Sequence, residues 1–307
     1  MSSQLDIRPL RAADFERVVE IDKAVTDRVR RGFYEKRFAA TAENPQDFLG
    51  LAAARDGAVV GFVLAHLLRG EFGVTAPVGV LDAIAVDPAA GGGIGQRLLA
   101  GLEQALADRG VQELRTEADW TEHSLVTFFS AAGFRLAPRL VLHRSTAPGD
   151  EPEGEDGLLA RDRVAIRSLM EGDVPAIARI DRHITGHDRV GYYARKAEEV
   201  LKRSGVRVSL VAEADGQPMG FVMARVDFGE FGRTEPAAVM DTIGVDPANR
   251  SRQVGQALLS QLLTNLRSLH VEQVTTQVAW NDFALLRFLE RNGFGLAQRL
   301  SFVKPLG

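Results

Sequence analysis

The segment VDPAAGGGIGQRLL, residues 86–99, joins an apolar run to a leucine-rich helical pattern through three consecutive glycines. A strand that passes through a tight loop into a helix leaves backbone N–H groups unpaired at the helix N-terminus, where the helix dipole also favours an anion. Glycines let a phosphate approach that backbone because they have no Cβ. The segment therefore predicts a strand, a phosphate-binding loop and a helix.

Two well-known phosphate-binding loops do not fit this segment. A P-loop ends in Gly-Lys-Ser/Thr, which is absent here. A dinucleotide-binding loop that begins at Gly91 or Gly93 needs a small residue where Gln96 or Leu98 stands. Taken by itself, the loop is also compatible with a plain turn before a helix.

A near copy of the segment, VDPANRSRQVGQALL at residues 245–259, is part of a longer internal repeat. The tetrapeptide Gly-Glu-Phe-Gly at 70–73 recurs at 229–232, a shift of 159 residues. After the glycine loop the shift is 160, as Trp120 and Trp280 indicate. Two copies are too few for a solenoid, so the repeat predicts a duplicated globular domain.

An acidic stretch separates the two copies. Residues 147–162 contain six acidic residues and one basic residue, interspersed with proline and glycine. This composition is typical of a solvated linker. We therefore expect one domain over residues 1–146, the linker over 147–162, and a second domain over 163–307.

The composition restricts the class of protein. The chain has 307 residues, 45% of them hydrophobic, a net charge of −4 and no cysteine. This is enough apolar material for two cores, it excludes disulfides and thiolate metal sites, and it offers no basic domain for nucleic acid. Because the N-terminus has no apolar signal core and no run is long enough to span a bilayer, the sequence predicts a cytoplasmic protein that binds neither nucleic acid nor membrane.

Hydrophobic periodicity gives the same element order in each copy. Apolar, β-branched runs at 58–67 and 219–226 indicate strands, as do 78–86 and 238–245. Leucines at helical spacing follow each second run, and then a short strand and another helix that ends at a glycine. Each copy is therefore predicted to be a mixed α/β domain.

These motifs together resemble the GCN5-related N-acetyltransferase (GNAT) family. There the fourth strand ends in V-x-P, a Q/R-x-x-G-x-G/A loop binds the pyrophosphate of acetyl-CoA, and an N-x-x-A-x-x-L-Y-x-x-x-G-F segment follows. The matching segments are Val245–Pro247, Arg250–Gly255 and Asn281–Phe294 in the second copy, and Val86–Pro88, Ala90–Gly95 and Phe128–Phe134 in the first. The resemblance implies tandem GNAT domains, each with a central, twisted, mostly antiparallel sheet and helices on both faces.

The resemblance also implies that acetyl-CoA is the cosubstrate. No metal is expected, because His183 and His187, although four residues apart, have a glycine between them and no obvious third ligand. We expect the better site in the second copy, because Arg250 stands where the first copy has Ala90 and Asn281 follows the family pattern where Thr121 does not. Activity of both copies stays open. The expected contacts are Ile243, Val245, Arg250, Ser251, Arg252, Gln253, Val254, Gly255 and Asn281 in the second copy, and Ile84, Val86, Gly91, Gly92, Gly93, Ile94 and Gly95 in the first.

The family mechanism is direct attack of an amine on the thioester, which needs a base. Asp241 and Asp82 stand four residues before the valine of Val-Asp-Pro, so strand alternation is expected to place each on the same face as that valine. A carboxylate in an apolar strand is costly unless it is paired or catalytic, and structural pairing is the alternative. Glu230 and Glu71, in the repeated Gly-Glu-Phe-Gly, are the other candidates, although a glycine turn alone explains that segment equally well.

For the amine acceptor, the resemblance suggests a substrate site near Tyr193, Arg189 and Phe231. Tyr193 is equally compatible with a core position. The tyrosine that serves as general acid in the family is replaced by Phe129 in one copy and by Leu289 in the other. A thiol of pKa about 8.5 can leave as the anion, so this loss does not exclude turnover.

The sequence thus predicts an acetyl-CoA-dependent N-acyltransferase that acts on a primary amine of a small molecule or a protein. The missing tyrosines and Ala90 leave an acyl-CoA-binding sensor, or a pseudoenzyme that binds a partner, as the alternative. A purely structural interaction protein is the third possibility. Duplication can replace the homodimer of single-domain relatives, so the chain is expected to be a monomer or a homodimer.

Overall fold

The structure is a computed structural model that describes residues 5–69, 77–147, 163–198, 201, 207–227 and 237–307. The side chains of Arg69, Asp227, Arg250, Ser251 and Arg252 are outside this description. So are three predicted site residues, Glu71, Glu230 and Phe231, and the predicted linker beyond residue 147. Roles assigned to these groups from the sequence therefore stay predictions.

Within the described residues, each copy contributes seven strands and four α-helices in the same order. The first copy has strands β1 (Leu5–Pro9), β2 (Phe48–Arg55), β3 (Ala58–Arg69), β4 (Pro77–Val86), β5 (Glu113–Asp119), β6 (Arg135–Leu136) and β7 (Arg139–Ser145), and helices α1 (Phe15–Thr26), α2 (Arg31–Glu43), α3 (Ile94–Ala107) and α4 (His123–Ala131). The second copy has strands β8 (Ala165–Ser168), β9 (Leu210–Ala214), β10 (Gln217–Asp227), β11 (Ala237–Val245), β12 (Gln273–Ala279), β13 (Gly295–Leu296) and β14 (Arg299–Pro305), and helices α5 (Val174–Thr185), α6 (Val190–Glu198), α7 (Val254–Ser268) and α8 (Phe283–Arg291).

The leucines that predicted a helix after the glycine loop form one buried face of α3. Leu98, Leu102 and Leu106 recur at helical spacing and have no exposed surface. The chain turns away just after α3, where Gly110 adopts a φ of 72° that residues with a Cβ rarely adopt. Periodicity therefore located this helix correctly.

The strands form two seven-stranded sheets. Their orders are β1-β2-β3-β4-β5-β14-β6 and β8-β9-β10-β11-β12-β7-β13. Among the described strands, β4 with β5 and β11 with β12 run parallel, whereas the other neighbours are antiparallel. The predicted mixed α/β class with mostly antiparallel sheets is confirmed.

The last long strand of each copy belongs to the sheet of the other copy. β14 pairs with β5 over seven residues, from Arg299 opposite Asp119 to Pro305 opposite Glu113, and β7 pairs with β12 over an equal length. Arg299 Nε also lies 2.8 Å from Glu117 Oε2 on β5. The chain thus divides into a first unit, which contains the described residues up to Ala137 and residues Arg299–Gly307, and a second unit, which contains the rest.

This division differs from the linear boundaries expected from the sequence for residues 138–146 and 299–307. Each segment was expected in the copy to which it is joined along the chain, and the structure assigns each to the other unit. The physical reason is strand pairing, since each segment satisfies its backbone hydrogen bonds on the edge of the other sheet.

Each sheet has a hydrophobic core on both faces. In the first unit, α3 and α4 pack on one face around residues such as Leu98 and Phe129, and α1 and α2 pack on the opposite face around Ile21 and Phe62. The second unit repeats this arrangement with α7 and α8 on one face and α5 and α6 on the other. In the described part of the chain, no helix combines the length and the apolar character required to cross a membrane.

Strand exchange predicts that a mutation at the end of the chain destabilises the unit formed by its beginning. Phe302 of β14 is 4% exposed and its ring lies 5.5 Å from that of Phe129. Phe302→Ala is expected to cost about 3 kcal/mol or more, because a large core side chain is removed. Amide hydrogen exchange should accelerate in β5 and remain unchanged in β12.

The reciprocal variant is the control. Leu142 of β7 is 5% exposed and belongs to the core of the second unit. Leu142→Ala should accelerate amide exchange in β12 and leave β5 unaffected. Loss of protection in β12 after Phe302→Ala would contradict the exchanged arrangement.

Candidate functional site

In each unit the two parallel strands pair at one end and then separate. The ladder between β4 and β5 consists of Gly79 opposite Leu114 and Val80 opposite Arg115, and β11 pairs with β12 over two equivalent positions. Just beyond this ladder, Thr116 Oγ1 donates to the carbonyl of Leu81 at 3.0 Å. In the described residues β4 then continues to Val86 paired with β3 alone, so its other edge is open.

A β-bulge lies where β4 leaves β5. Leu64 is opposite Ala83 and Ala65 is opposite Leu81, so Asp82 is the extra residue. The second unit has the same irregularity, because Met223 is opposite Thr242 and Ala224 is opposite Met240. Asp82 and Asp241, the predicted bases, are therefore the bulged residues of their strands.

The bulge reverses the alternation of side chains that the sequence suggested. Val86 packs against the core that contains α3, whereas Asp82 contacts Arg37 of α2 on the opposite face of the sheet. The expectation that Asp82 shares a face with Val86 is wrong, because the extra residue shifts every later side chain by one position. Bulges commonly redirect a side chain in this way next to functional sites.

Asp82 is the centre of a buried polar cluster in the first unit. Its Oδ1 accepts a hydrogen bond from Arg37 Nη2 at 3.2 Å, and its Oδ2 lies 2.9 Å from His66 Nδ1 on β3. The imidazole stacks on the ring of Phe48, with centroids 5.7 Å apart and an interplanar angle of 22°. The Asp82 side chain has no exposed surface, so these partners compensate the cost of burying its charge.

The second unit places two cations around the equivalent carboxylate. Asp241 Oδ2 lies 3.4 Å from Lys196 Nζ of α6 and 3.5 Å from Arg225 Nε of β10. Lys196 is only 2% exposed. Because the repeat shift is 159, Lys196 corresponds to Arg37 and Arg225 corresponds to His66. The same backbone position thus carries a titratable imidazole in one unit and a permanently charged guanidinium in the other.

The glycine loop of the first unit lies between the open end of β4 and the first turn of α3. Gly91 and Gly93 have φ values of 84° and 81°, and a Cβ on Gly91, Gly92 or Gly93 would meet no atom within 4 Å. The carboxylate of Asp87 caps the turn by accepting from Ala89 N at 2.9 Å. The backbone of this loop is therefore uncrowded on its outer side, as a phosphate-binding loop requires.

An arginine side chain that the sequence analysis did not identify also contacts the first loop. Arg55, the last residue of β2, donates from Nη1 to the carbonyl of Ala90 at 3.0 Å. Its counterpart in the second unit is Ala214. The first loop therefore has no cationic residue at position 90, but the guanidinium of Arg55 contacts the loop from β2.

In the second loop, a glutamine stands directly before the helix, where the first loop has a glycine. Gln253 adopts a left-handed φ of 56° at the position equivalent to Gly93, and α7 begins at Val254. Asp246 caps the preceding turn by accepting from Ala248 N at 3.1 Å. The side chains of Val254 and, in the first unit, Ile94 are buried in the core, so only their backbone can take part in binding.

Gly95 and Gly255, which occupy the second glycine position of each motif, lie close to an aromatic ring. A Cβ on Gly95 would lie 3.2 Å from the ring of Phe128, and one on Gly255 would lie 3.3 Å from the ring of Phe288. These rings belong to α4 and α8, which pack against the N-terminal turns of α3 and α7. Tight packing against these rings is thus a reason for glycine at both positions that needs no ligand, and a direct phosphate contact by them stays a prediction.

Two residues assigned to the acceptor site, Arg189 and Tyr193, are hydrogen-bonded to the buried carboxylate of Asp181. Arg189 Nε donates to Asp181 Oδ2 at 2.8 Å and the Tyr193 hydroxyl donates to Asp181 Oδ1 at 2.8 Å. Burial raises the pKa of the Tyr193 phenol, which therefore stays protonated as a donor. Asp22, Arg30 and Tyr34 form the equivalent group in the first unit. Their contacts favour a role in holding the first two helices of each unit to one another.

The remaining predicted positions lie apart from these clusters. Phe129 and Leu289, at the family's tyrosine position, are core residues with 2% and 0% exposure. Asn281 lies in the exposed turn between β12 and α8. Among the described residues, no group of three histidine, aspartate or glutamate side chains is arranged to bind a metal ion.

Sequence reasoning missed His66, Arg37, Arg225 and Lys196. The available signal was the repeat itself, because a shift of 159 aligns His66 with Arg225, each polar within an apolar strand. The bulge that brings them to Asp82 and Asp241 has no comparable signal in the hydrophobic pattern.

Comparison with protein families matches both copies of the repeat. The acetyltransferase (GNAT) family model matches residues 10–134 and 177–294, one segment in each copy. Among proteins of known function, the chain is 30% identical over 217 residues to a mycothiol acetyltransferase from Thermobispora bispora, a match that covers 66% of this chain and 68% of that protein.

Solved structures share the fold at low sequence identity. A tandem GNAT protein from the clavulanic acid biosynthesis pathway matches with a TM-score of 0.65 and 16% identity over 99% of both chains. A GCN5-related N-acetyltransferase from Sphaerobacter thermophilus matches with a TM-score of 0.65 and 17% identity over 98% of this chain and 96% of that one. A GCN5-related glucosamine N-acetyltransferase region of a fungal multi-domain enzyme matches with a TM-score of 0.71 and 13% identity, over 99% of this chain and 38% of that one.

Gly92 of the first loop and Gly95 of α3 are expected to respond differently to the same substitution. Gly95→Ala should give the less stable protein of the two, since its Cβ would lie 3.2 Å from the ring of Phe128 and the ring has to move to accommodate it. Gly92→Ala has free space and no left-handed φ, so it should be neutral or stabilising by about 0.4–1 kcal/mol. Thermal denaturation of both variants makes the comparison, and equal melting temperatures would contradict the packing reason.

Proposed function

The chain belongs to the GNAT acetyltransferase family, and we propose that it transfers an acetyl group from acetyl-CoA to a primary amine. The observation that carries this proposal is the open edge of β4 beside an uncrowded loop at the start of α3. The edge of β11 that precedes the loop to α7 is open in the same way. Both features meet at the same end of each sheet.

The open edge and the loop suit different parts of acetyl-CoA. Backbone groups of Ile84 and Val86, or of Ile243 and Val245, can pair with the amides of the pantetheine arm, because β5 and β12 leave that edge unpaired. The N–H groups around Gly91–Gly93, at a helix N-terminus, can receive the pyrophosphate. Arg55 adds positive charge next to the first loop.

Acetyl-CoA supplies an activated thioester, and the protein has to bind it, direct an amine to it and accept a proton. A backbone N–H on the open edge of β4 or β11 can stabilise the oxyanion that forms during attack. Phe129 and Leu289 have hydrocarbon side chains without an acidic proton, so neither protonates the departing sulfur. The thiolate can leave as the anion, given a thiol pKa of about 8.5.

A small-molecule amine is the favoured acceptor. The relative from Thermobispora bispora is named a mycothiol acetyltransferase, which points to a small molecule. Arg189 and Tyr193 are engaged by Asp181, so the acceptor is proposed to contact other groups near the bulge. An acyl-CoA sensor would also bind the cosubstrate, but it would not consume it in the presence of an amine.

Calorimetric titration with acetyl-CoA tests the binding part of the proposal. Gly93→Glu should weaken binding to the first unit by about tenfold or more, because it places a carboxylate at the expected pyrophosphate position. Gly110→Glu, at the opposite end of α3, is the matched control, since Gly110 also has a positive φ and free space around its Cβ position. It should bind like the wild type.

Arg250→Glu separates the two units in the same titration. Loss of binding with Arg250→Glu alone would place the cosubstrate in the second unit, as the sequence motif suggested, and two independent losses would mean that both units bind it. A wild type that binds no acetyl-CoA would contradict the proposed function.

A further inference from the structure

We propose that Arg37 binds a carboxylate of the acceptor in the first unit, so that this unit prefers a primary amine that also carries a carboxylate. The inference rests on the proposed function and deepens it by naming the substrate class. It comes from the exposure, the contacts and the position of Arg37 within the polar cluster around Asp82.

Arg37 is the member of this cluster that reaches the surface. Its side chain is 14% exposed, whereas that of His66 is 6% exposed and that of Asp82 has no exposed surface. A molecule that enters beside the bulge therefore meets the guanidinium of Arg37 first. The buried carboxylate of Asp82 accepts a hydrogen bond from this guanidinium, so it positions Arg37 without contacting the molecule itself.

Two aromatic rings and the carboxylate hold the guanidinium in place. Its Cζ atom lies 5.5 Å from the ring centroid of Phe33 on α2 and 5.6 Å from that of Phe48 at the start of β2. A cation over an aromatic ring is attracted to it, more strongly where water is excluded. Nη2 donates to Asp82 Oδ1 at 3.2 Å. Because the side chain is already ordered, it loses little conformational entropy when it binds a ligand.

The guanidinium keeps donors for a ligand. Its five N–H groups form a planar fork that matches the two oxygens of a carboxylate. In the part of the chain that the structure describes, Arg37 uses Nη2 for its hydrogen bond to Asp82, and no hydrogen bond from Nε or Nη1 occurs. Since Asp82 already balances part of the positive charge, the site suits a group with one negative charge better than a dianionic phosphate.

Arg37 lies on the face of the sheet from which an amine can reach the proposed position of the acetyl group. Ile84 and Val86 on the open edge pack towards α3, where the core fills the space. Ala83, next to the bulged Asp82, belongs to the opposite face, is half-buried and has only a methyl group. Arg37 contacts Asp82 on this same face. An acceptor that places its amine at the open edge beside Ala83 thus has its other end near Arg37.

Pairs of acceptors that differ only in the carboxylate test the proposal. Acetyl-CoA is mixed with glycine, β-alanine or γ-aminobutyrate, or with the amide of each, and thiol release gives kcat/KM. The wild type should use at least one acid about tenfold or more better than its amide, because the uncharged amide forgoes a charge-assisted hydrogen bond. Arg37→Gln should remove this preference. Damage to the cleft as a whole would instead lower turnover of acid and amide together and keep their ratio.

Arg31→Gln is the matched control. Arg31 is on the same helix, its Cζ atom lies 4.9 Å from the ring centroid of Phe15, and it forms an ion pair with Glu16. Its side chain is 46% exposed and lies outside the cluster, so this substitution removes the same charge from α2 and should keep the preference. Arg37→Lys keeps a charge beside Asp82 but loses the planar fork, and it should give an intermediate preference.

The outcomes separate this proposal from the proposed function. The assignment of Arg37 would be overturned, with the proposed function intact, by a wild type that uses the amides or ethanolamine as well as the acids. The same holds for a wild type that prefers O-phosphoethanolamine to β-alanine, and for an Arg37→Gln variant that keeps the wild-type ratio of acid to amide. A wild type that binds acetyl-CoA but releases no thiol with any amine would overturn the acetyltransferase function and this assignment together.

Discussion

The early end of the parallel ladder between β4 and β5 is the constraint on which the site depends. A complete ladder would satisfy the backbone of both strands and leave no edge for a ligand. The bulge at Asp82 increases the local bend of β4, and Thr116 closes the gap with a hydrogen bond to Leu81. After β4 separates from β5, it continues to the glycine loop and the N-terminus of α3 at one end of the sheet. The proposed binding edge and the proposed anion-binding loop therefore depend on one local irregularity.

Comparison of the two units shows which buried polar contacts they share and which side chains beside the bulge and the loop differ. The ion pairs Arg8–Asp14 and Arg167–Asp173 recur with almost equal geometry, as do the buried groups centred on Asp22 and Asp181. The two ion pairs hold the first strand of each unit to the turn before its first helix, and the buried groups hold the first two helices of each unit to one another. Residues beside the bulge and in the loop differ instead, namely His66 and Arg225, Gly93 and Gln253, and Ala90 and Arg250.

The sequence predicted the repeat, the order of elements and the position of the loop, because periodicity and turn chemistry act locally. It could not predict the exchange of β7 and β14, since RLVLHRS and RLSFVKP are similar apolar strands and either sheet edge can accept either of them. It misplaced Asp82 relative to Val86 because an extra residue in a ladder leaves no mark on composition. His66 was missed because only its contact with Asp82, sixteen residues away along the chain, distinguishes it from other polar residues in strands.

Amide hydrogen exchange of the full chain with and without acetyl-CoA tests the central claim most directly. Binding at the open edge requires slower exchange at Ile84, Val86 and Gly91–Gly93 if the first unit binds, or at Ile243, Val245 and the loop before α7 if the second does, because these N–H groups gain partners. Slower exchange confined to β5, or to surfaces remote from both β4 and β11, would contradict the claim that the parted strands form the cosubstrate site.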